Sequence, residues 1–333
     1  MTSKLPHSPL DCISRVRFAS FANGVGNNHL LVSSWDAHVR LYDVTTASLI
    51  GLRKHNYAVL DCTFMHDASR FLSVGLEKRL VAFDFQSQQE TTVGQHSQAI
   101  RCVEFHPGTQ QIFTGSWDRT VCAWDPRQPQ SPVQMVNVGA KVFALDVNAD
   151  KVFVAGSDRC IHMYDVRRLG ALLEKRESSL KHQIRAVKAS IDQKTFVSSS
   201  VEGRVAIEHI SPADNERSCY AFKCHRVKED SGTETVHAIN ALAYHPVHGT
   251  FATGGSDGGV CVWDGNAKKR LWRLNPFETS VSSLCFSADG SQLAIGVSYT
   301  FDNGEVVPAP ATELAIRQIT DSEVRPKEPR ERR

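Results

Sequence analysis

The stretch GSWDRTVCAWD, residues 115–125, contains the pattern that decides the fold. Its acidic residue Asp118 stands seven positions before Asp125, with a short hydrophobic run between them. The same spacing occurs six times in the chain, in the pairs Asp36 with Asp43, Glu77 with Asp84, Asp118 with Asp125, Asp158 with Asp165, Glu202 with His209 and Asp257 with Asp264. The closing residues lie 41, 41, 40, 44 and 55 positions apart, which indicates an internal repeat of about 40 residues.

A repeat of this length that ends in an aromatic–Asp pair predicts a WD-repeat β-propeller. Each unit is a four-stranded sheet that cannot bury both faces alone, so a closed ring is needed for a stable core. Apolar alternation predicts seven inner strands, at residues 13–18, 59–64, 100–105, 142–147, 184–189, 239–244 and 281–286. The sequence therefore predicts an all-β, single-domain propeller of seven blades.

The two ends of the chain determine how such a ring closes. We expect residues 4–10 to supply the outer strand of blade seven, because closure removes free sheet edges. The propeller is then expected to cover residues 4–320. The C-terminal stretch EVRPKEPRERR is charged and lacks apolar periodicity, so residues 321–333 are predicted to form a disordered tail.

The repeated turn carries polar residues that suit a structural role. Asp accepts hydrogen bonds from turn amides, and His55 and His96 each precede an inner strand by four residues. We expect these histidines to bond the turn carboxylates of their own blades. Two stretches break the period: residues 210–234, between blades five and six, and residues 299–313, which are interpreted as a flexible surface loop of blade seven.

The composition limits the partners and the chemistry. A net charge of +2 gives no reason to expect direct nucleic-acid binding. The sequence contains no run of 18 apolar residues, so we expect no membrane partner. Nine cysteines, most of them in predicted strands, are typical of buried thiols in a reducing compartment. We expect no cofactor.

Two apparent site motifs do not support catalysis or metal binding. Residues 254–258 match G-x-S-x-G, but the serine lies between two predicted strands and not on a strand-to-helix turn. Cys219, Cys224 and His225 have no second Cys or His pair at zinc-finger spacing. The sequence predicts neither catalytic residues nor a metal site, and the protein is not expected to be an enzyme.

Function is therefore sought where equivalent positions of the repeat differ. The residue before the turn acid is Trp35 in blade one and Trp117 in blade three, whereas smaller side chains occupy this position elsewhere. An indole placed beside such a turn is a favoured anchor for a bound peptide. The alternative is that each tryptophan packs against its neighbouring loop.

Blade five differs from the others by its positive charge. Arg185 lies at the start of its inner strand, Arg204 just after its turn, and Lys223 near the end of its outer strand. Because adjacent strands run antiparallel, Arg204 and Lys223 are expected to be neighbours on one rim, where they could bind a phosphate or a carboxylate. The alternative is that these are solvated charges at strand ends.

Several segments resemble a known family, namely SSWDAHVRLYDV, ESSLKHQIR, SSSVEGRVAIEHI, YAFKCHR and FATGGSDGGVCVWD. They are similar to the spindle-assembly-checkpoint WD-repeat protein that binds Bub-type kinases, and the likeness extends from about residue 11 to residue 300. The sister family is the mRNA-export WD-repeat protein of nuclear pores, which the segments SLKHQ and HPVHGT would suit.

The resemblance implies two binding surfaces. A glutamate-bearing segment of Bub-type checkpoint kinases would be held by Trp35, Trp117 and Arg185. Phosphothreonine repeats of a kinetochore scaffold would be held by Arg204 and Lys223. The protein would then be a non-catalytic mitotic checkpoint adaptor, monomeric within a hetero-complex, in the nucleus and at kinetochores in mitosis. The alternative implied by the sister family is an mRNA-export factor of the nuclear pore.

Overall fold

The computed structural model describes residues 2–21, 24, 28–214, 219–302 and 304–327. Its strands from the N-terminus to the end of blade three are β1 Thr2–Lys4, β2 Ile13–Phe18, β3 His29–Ser34, β4 His38–Asp43, β5 Ser48–Lys54, β6 Val59–Phe64, β7 Arg70–Gly75, β8 Arg79–Asp84, β9 Gln89–Gln95, β10 Ile100–His106, β11 Gln111–Ser116, β12 Thr120–Trp124 and β13 Gln134–Asn137. Those of blades four and five are β14 Val142–Asn148, β15 Lys151–Gly156, β16 Cys160–Asp165, β17 Arg168–Glu177, β18 Ile184–Ala189, β19 Thr195–Ser200, β20 Arg204–His209 and β21 Tyr220–Lys223. The remaining strands are β22 Arg226–Lys228, β23 Glu234–Val236, β24 Ile239–Tyr244, β25 Phe251–Gly255, β26 Val260–Asp264, β27 Lys269–Leu274, β28 Val281–Phe286, β29 Gln292–Val297 and β30 Glu313–Gln318.

These strands form a ring of seven four-stranded antiparallel sheets, as the repeat predicted. Blades one to five take β2–β5, β6–β9, β10–β13, β14–β17 and β18–β21, blade six takes β24–β27, and blade seven takes β28–β30 with β1. The predicted inner strands are confirmed, and only β10 and β14 extend one residue beyond their predicted ends. Between blades five and six, β22 and β23 pair as a separate hairpin that begins in the first insertion and ends just beyond it.

The core lies between neighbouring blades, where apolar side chains of adjacent sheets meet. Phe113 and Val121 of blade three, for example, pack with Val154 and Tyr164 of blade four. On the other side of blade three, Trp124 is only 1% exposed and packs so closely over blade two that a Cβ atom on Gly94 would lie 2.1 Å from the indole. Each blade thus buries its two faces against its neighbours, which is why the ring must be closed.

The ring closes through the N-terminal strand, but not through the segment that the sequence predicted. β1 pairs with β30, and Thr2, Ser3 and Lys4 lie opposite Arg317, Ile316 and Ala315. Of the predicted residues 4–10, only Lys4 belongs to the strand. Pro6 and Pro9 explain the difference, because proline has no backbone N–H to donate to a sheet ladder.

The predicted disordered tail differs from the structure at its beginning. A short helix, α1 (Asp321–Val324), follows blade seven, and Thr320 and Glu323 form a capping box at its start. Val324 is buried, and its carbonyl accepts a hydrogen bond from the Thr250 hydroxyl at 2.8 Å. This contact extends the ordered fold beyond residue 320, while residues 328–333 lie outside the described part of the chain. No helix among the described residues is both long and apolar enough to cross a bilayer.

The turn carboxylates anchor hydrogen-bond networks, two of which have the same four members. In blade three, His96 lies 3.0 Å from Asp118 and 2.8 Å from the Thr114 hydroxyl, which also accepts the Trp124 indole N–H at 2.8 Å. In blade six the same contacts join four equivalent residues, which are His225, Asp257, Thr253 and Trp263. The prediction for His96 is therefore confirmed. That for His55 is wrong, because its ring nitrogen lies 4.0 Å from Glu77 and the other nitrogen contacts Ser73.

Charged side chains cross the axis of the ring below these turns. Glu104 of blade three pairs with Arg15 and Arg17 of blade one and lies 3.5 Å from Lys188 of blade five. The three cations outweigh the effect of burial and lower the pKa of the Glu104 carboxyl below its ordinary value. Ion pairs thus connect blades one, three and five across the ring.

Candidate peptide-binding sites on the loop face

One face of the ring carries the loops that join the second and third strands of each blade and the loops that enter the inner strands; we call it the loop face. At its centre is a cavity of about 500 Å³, which we call the central cavity. Trp35, Trp117 and Arg185 all line it, although they come from blades one, three and five. The structure therefore brings together the three residues that the family resemblance assigned to one site.

The two tryptophans present their rings in different ways. Trp35 is 43% exposed, so its indole is open to contact by another molecule. Trp117 is partly buried, and its Nε1 has no hydrogen-bond partner among the described residues. A buried N–H without a partner is unfavourable, and a ligand carbonyl or carboxylate would satisfy it.

Arg185 projects into the cavity from the start of β18. Its Nη2 lies 3.2 Å from Oδ1 of Asp302, which belongs to the insertion of blade seven. Its Nε is buried and, like Nε1 of Trp117, has no partner among the described residues. The insertion was interpreted from the sequence as a flexible loop, but it supplies a specific contact to the candidate site.

The sequence did not predict two other polar residues of the central cavity. Arg101, in β10 of blade three, lines the cavity and donates to the Leu60 carbonyl at 3.1 Å. No carboxylate partner of Arg101 occurs in the described part of the chain. Asn240 of blade six also lines the cavity, and its Oδ1 is buried without a partner there. Both occupy the second position of an inner strand, as Arg185 does in blade five, so the repeat itself contained the signal that could have identified them.

The second candidate site lies on the rim of blade five, away from the central cavity. Arg204 of β20 and Lys223 of β21 are directly opposite each other in the antiparallel ladder, as the sequence predicted. Opposite residues project from the same face of a sheet, so the two cations are neighbours. Neither lines the central cavity, which makes the two sites separate on the loop face.

Each cation of this pair has an acidic neighbour. The Nε atom of Arg204 lies 3.7 Å from Glu202, and Nζ of Lys223 lies 3.7 Å from Glu234 of the hairpin. Glu234 also contacts Arg226 at 2.7 Å, and the hydrogen bond from Arg226 lowers the pKa of the Glu234 carboxyl. Both Arg204 and Lys223 keep more than a third of their side-chain surface exposed, so an incoming anion can reach them.

The basic surface continues from Lys223 towards blade six. A cavity of about 220 Å³ is lined by Lys223 and Arg226 of the blade-five side and by Arg270 and Arg273 of β27, together with Glu234 and Asp257. The sequence indicated Lys223, but not the arginines of blade six. They were missed because they lie 47 and 50 positions further along the chain than Lys223, so only the folded ring reveals their proximity.

Comparison with known proteins places the chain in a family. The model of the family "WD domain, G-beta repeat" matches residues 87–125 and 228–264. The chain is 43% identical to the mitotic checkpoint protein BUB3.1 of Arabidopsis thaliana, over 97% of this chain and 94% of the relative. It is 40% identical to the mitotic checkpoint protein bub-3 of Caenorhabditis elegans, over 97% of this chain and 95% of the relative. The protein belongs to the Bub3 family.

The sister family is also recognisable, at lower identity. The mRNA export factor GLE2 of Chaetomium thermophilum is 32% identical over 90% of this chain and 85% of that protein. Among solved structures, that of U3-55K superposes with a TM-score of 0.81, covering 96% of this chain and 98% of the other, at 20% identity. The latter likeness shows the propeller fold alone. The order of identities agrees with the checkpoint family that the sequence motifs resembled.

Proposed function

We propose that this Bub3 family member is a non-catalytic adaptor that recruits Bub-type checkpoint kinases to kinetochores. The central cavity binds a glutamate-bearing segment of the kinases, and the basic pair Arg204 and Lys223 binds phosphothreonine repeats of a kinetochore scaffold. The proposal places the protein in the nucleus and, during mitosis, at kinetochores.

The observation that carries this proposal is the separation of an aromatic cavity from a basic rim on the same face. Trp35 and Trp117 offer flat apolar surface beside the cation Arg185, which suits a peptide that alternates apolar and acidic side chains. Arg204 and Lys223 offer two cations at one point, which suits the nearly double negative charge of a phosphothreonine. Two separate sites allow both ligands to be held at once, as an adaptor requires.

The test measures both ligands on two double variants. Arg204→Ala with Lys223→Ala should abolish the preference for a threonine-phosphorylated scaffold peptide over its unphosphorylated form, while the kinase peptide still binds. Trp35→Ala with Arg185→Ala should do the reverse. Isothermal titration calorimetry gives each Kd, and Arg79→Ala, which changes the equivalent arginine of blade two, is the matched control for loss of one charge.

Two outcomes would contradict the proposal. If the Arg204, Lys223 double variant keeps the phosphate preference, the basic pair is not the phosphothreonine site. If the Trp35, Arg185 double variant binds the kinase peptide as tightly as the parent, the central cavity is not the kinase site. Circular dichroism and thermal unfolding of each variant separate loss of binding from loss of fold.

A second candidate function follows from the similarity to the mRNA export factor GLE2. An export factor would persist at the nuclear rim, whereas a checkpoint adaptor would concentrate at kinetochores. Imaging of a fluorescently tagged copy in dividing cells distinguishes the two. Signal that remains at the rim and never appears at kinetochores would favour the export function.

A further inference from the structure

The carboxylate of Asp302 pairs with Arg185, the cation that the proposed function assigns to the bound peptide. Its Oδ1 lies 3.2 Å from Nη2 of Arg185, and its Oδ2 accepts hydrogen bonds from the hydroxyls of Ser256 and Thr300. Asp302 belongs to the insertion that separates β29 from β30, so it is not part of the repeated turn. An acidic residue from outside the repeat therefore pairs with the positive charge of Arg185 in the central cavity.

This contact is part of a hydrogen-bond chain that links three blades. Asn240 of blade six donates through Nδ2 to the Ser256 hydroxyl at 3.2 Å, and that hydroxyl donates to Asp302. Asp302 of blade seven in turn accepts a hydrogen bond from Arg185 of blade five. The Asp302 carboxylate thus connects the side chains of Asn240, Ser256 and Arg185 beside the cavity.

Three buried polar atoms at the cavity have no hydrogen-bond partner among the described residues. They are Nε of Arg185, Nε1 of Trp117 and Oδ1 of Asn240. Two of them are donors, which suit a carboxylate or a peptide carbonyl, and the third is an acceptor, which suits a peptide N–H. A bound peptide could satisfy all three, whereas Asp302 satisfies none of them.

We propose that Asp302 is an internal competitor for Arg185 that sets the affinity and the acid requirement of the central cavity. An acidic side chain of the incoming peptide replaces Asp302 on Arg185, and the peptide backbone supplies the partners that Asp302 leaves missing. A neutral peptide gains nothing by displacing Asp302, so the cavity discriminates in favour of acidic peptides. The inference rests on the proposed function, because it requires the kinase peptide to enter this cavity.

The experiment removes the charge of Asp302 while keeping its size. Asp302→Asn should bind a synthetic peptide that copies the glutamate-bearing kinase segment about two- to fivefold more tightly, the range expected for release of a partly exposed ion pair. Towards the same peptide with every Glu changed to Gln, the variant should bind as the parent does. This double comparison isolates the coupling between Asp302 and the acidic residue of the ligand.

Asp289→Asn is the matched control, because Asp289 lies in the loop between β28 and β29 of the same blade and its removal changes the net charge equally. It should leave both affinities unchanged. Asp302→Ser serves as a second variant if thermal unfolding shows that Asp302→Asn is not folded.

Four results would overturn the inference. Weaker binding of the acidic peptide by Asp302→Asn would mean that Asp302 orients Arg185 for the ligand and does not compete with it. An unchanged affinity would mean that the two carboxylates do not exclude each other, and an equal gain with the Gln peptide would mean a nonspecific effect of charge. If the parent protein does not bind the acidic peptide at all, the kinase part of the proposed function fails and this inference fails with it.

Discussion

Blade three and blade five carry an acidic residue at the same position of the repeat, but the two carboxylates have different partners. Asp118 of blade three accepts hydrogen bonds from His96 and Thr120, within a network that is closed by a buried tryptophan. Glu202 of blade five accepts the backbone N–H of Lys181 at 3.0 Å and lies 3.7 Å from Arg204. The first carboxylate stabilises its blade, whereas the second lies among cations.

The rest of each network explains this difference. Where blade three has His96, Thr114 and Trp124, the equivalent positions of blade five hold Leu180, Ser198 and Glu208. The Ser198 hydroxyl has no partner among the described residues, and burial raises the pKa of the Glu208 carboxyl. Without the histidine and the tryptophan, the Glu202 carboxylate keeps its backbone contact to Lys181 and lies beside Arg204. A repeat position thus becomes available for a ligand once its structural partners are replaced.

The largest expected difference between the two blades is in stability. Thr114→Ala in blade three removes the hydroxyl that accepts from Trp124 and donates to Nε2 of the neutral His96, leaving one buried donor and one buried acceptor unsatisfied, and should lower the free energy of unfolding by about 2–4 kcal/mol. Ser198→Ala in blade five removes a hydroxyl without a partner and should change it by less than about 0.5 kcal/mol. Urea denaturation of both variants measures the difference, and equal losses would contradict the assigned networks.

A smaller difference is expected in the response to acid. Burial lowers the pKa of His96 below its ordinary value of 6.5, so the folded protein holds this imidazole neutral. The unfolded chain binds the proton more readily, and stability that is fully present above pH 6.5 is lost as the pH falls through the lowered value. The free energy of unfolding should decrease from pH 7 towards pH 5, and His96→Gln should make that decrease shallower.

The control for the acid response is Leu180→Gln, at the equivalent position of blade five, where the parent residue does not titrate. This variant should lower stability equally at both pH values, because a buried amide replaces an apolar side chain. A pH dependence of His96→Gln that matches the parent would show that His96 does not contribute to the acid response.

The smallest expected difference is in ligand affinity. Glu202→Gln removes the carboxylate beside Arg204 and should tighten binding of a phosphothreonine peptide about two- to threefold, because partly exposed charges interact weakly. Glu77→Gln makes the same change at the equivalent turn of blade two, beside Arg79, and should have no effect. Calorimetry at low and at physiological salt measures both, and an equal gain in the two variants would indicate only the change in net charge.

The repeat made most of the fold predictable. A period near 40 residues and alternating apolar positions placed the inner strands correctly, since both signals come from short local stretches of chain. Ring closure by β1 was expected, but its residues were misplaced, because the prediction did not weigh Pro6 and Pro9. The network of blade six was missed because the inserted hairpin separates His225 from β24, so the spacing that identifies His96 is absent there.

The candidate sites were predictable only in part, for a similar reason. Trp35 and Trp117 stand out by their size at one position of the repeat, and Arg204 and Lys223 stand out by the cluster of cations that they form with Arg185 in blade five. Arg101 and Asn240 were missed although they occupy the repeat position of Arg185, because only the folded ring shows that this position faces the cavity. The contact of Arg185 with Asp302 joins residues 117 positions apart through an insertion that has no counterpart in the other blades. Nothing in the local sequence carries that information.

The pairing of β1 with β30 has a consequence for how the protein is made. During translation Thr2, Ser3 and Lys4 emerge from the ribosome long before Ala315, Ile316 and Arg317, the residues that they pair with. Blades one to six can begin to stack while the chain grows, yet the ring stays open and the apolar flanks of its end blades stay unprotected until blade seven appears. The nascent chain is therefore most vulnerable to aggregation before blade seven has been made, and a chaperone that holds the open ring would act at that stage.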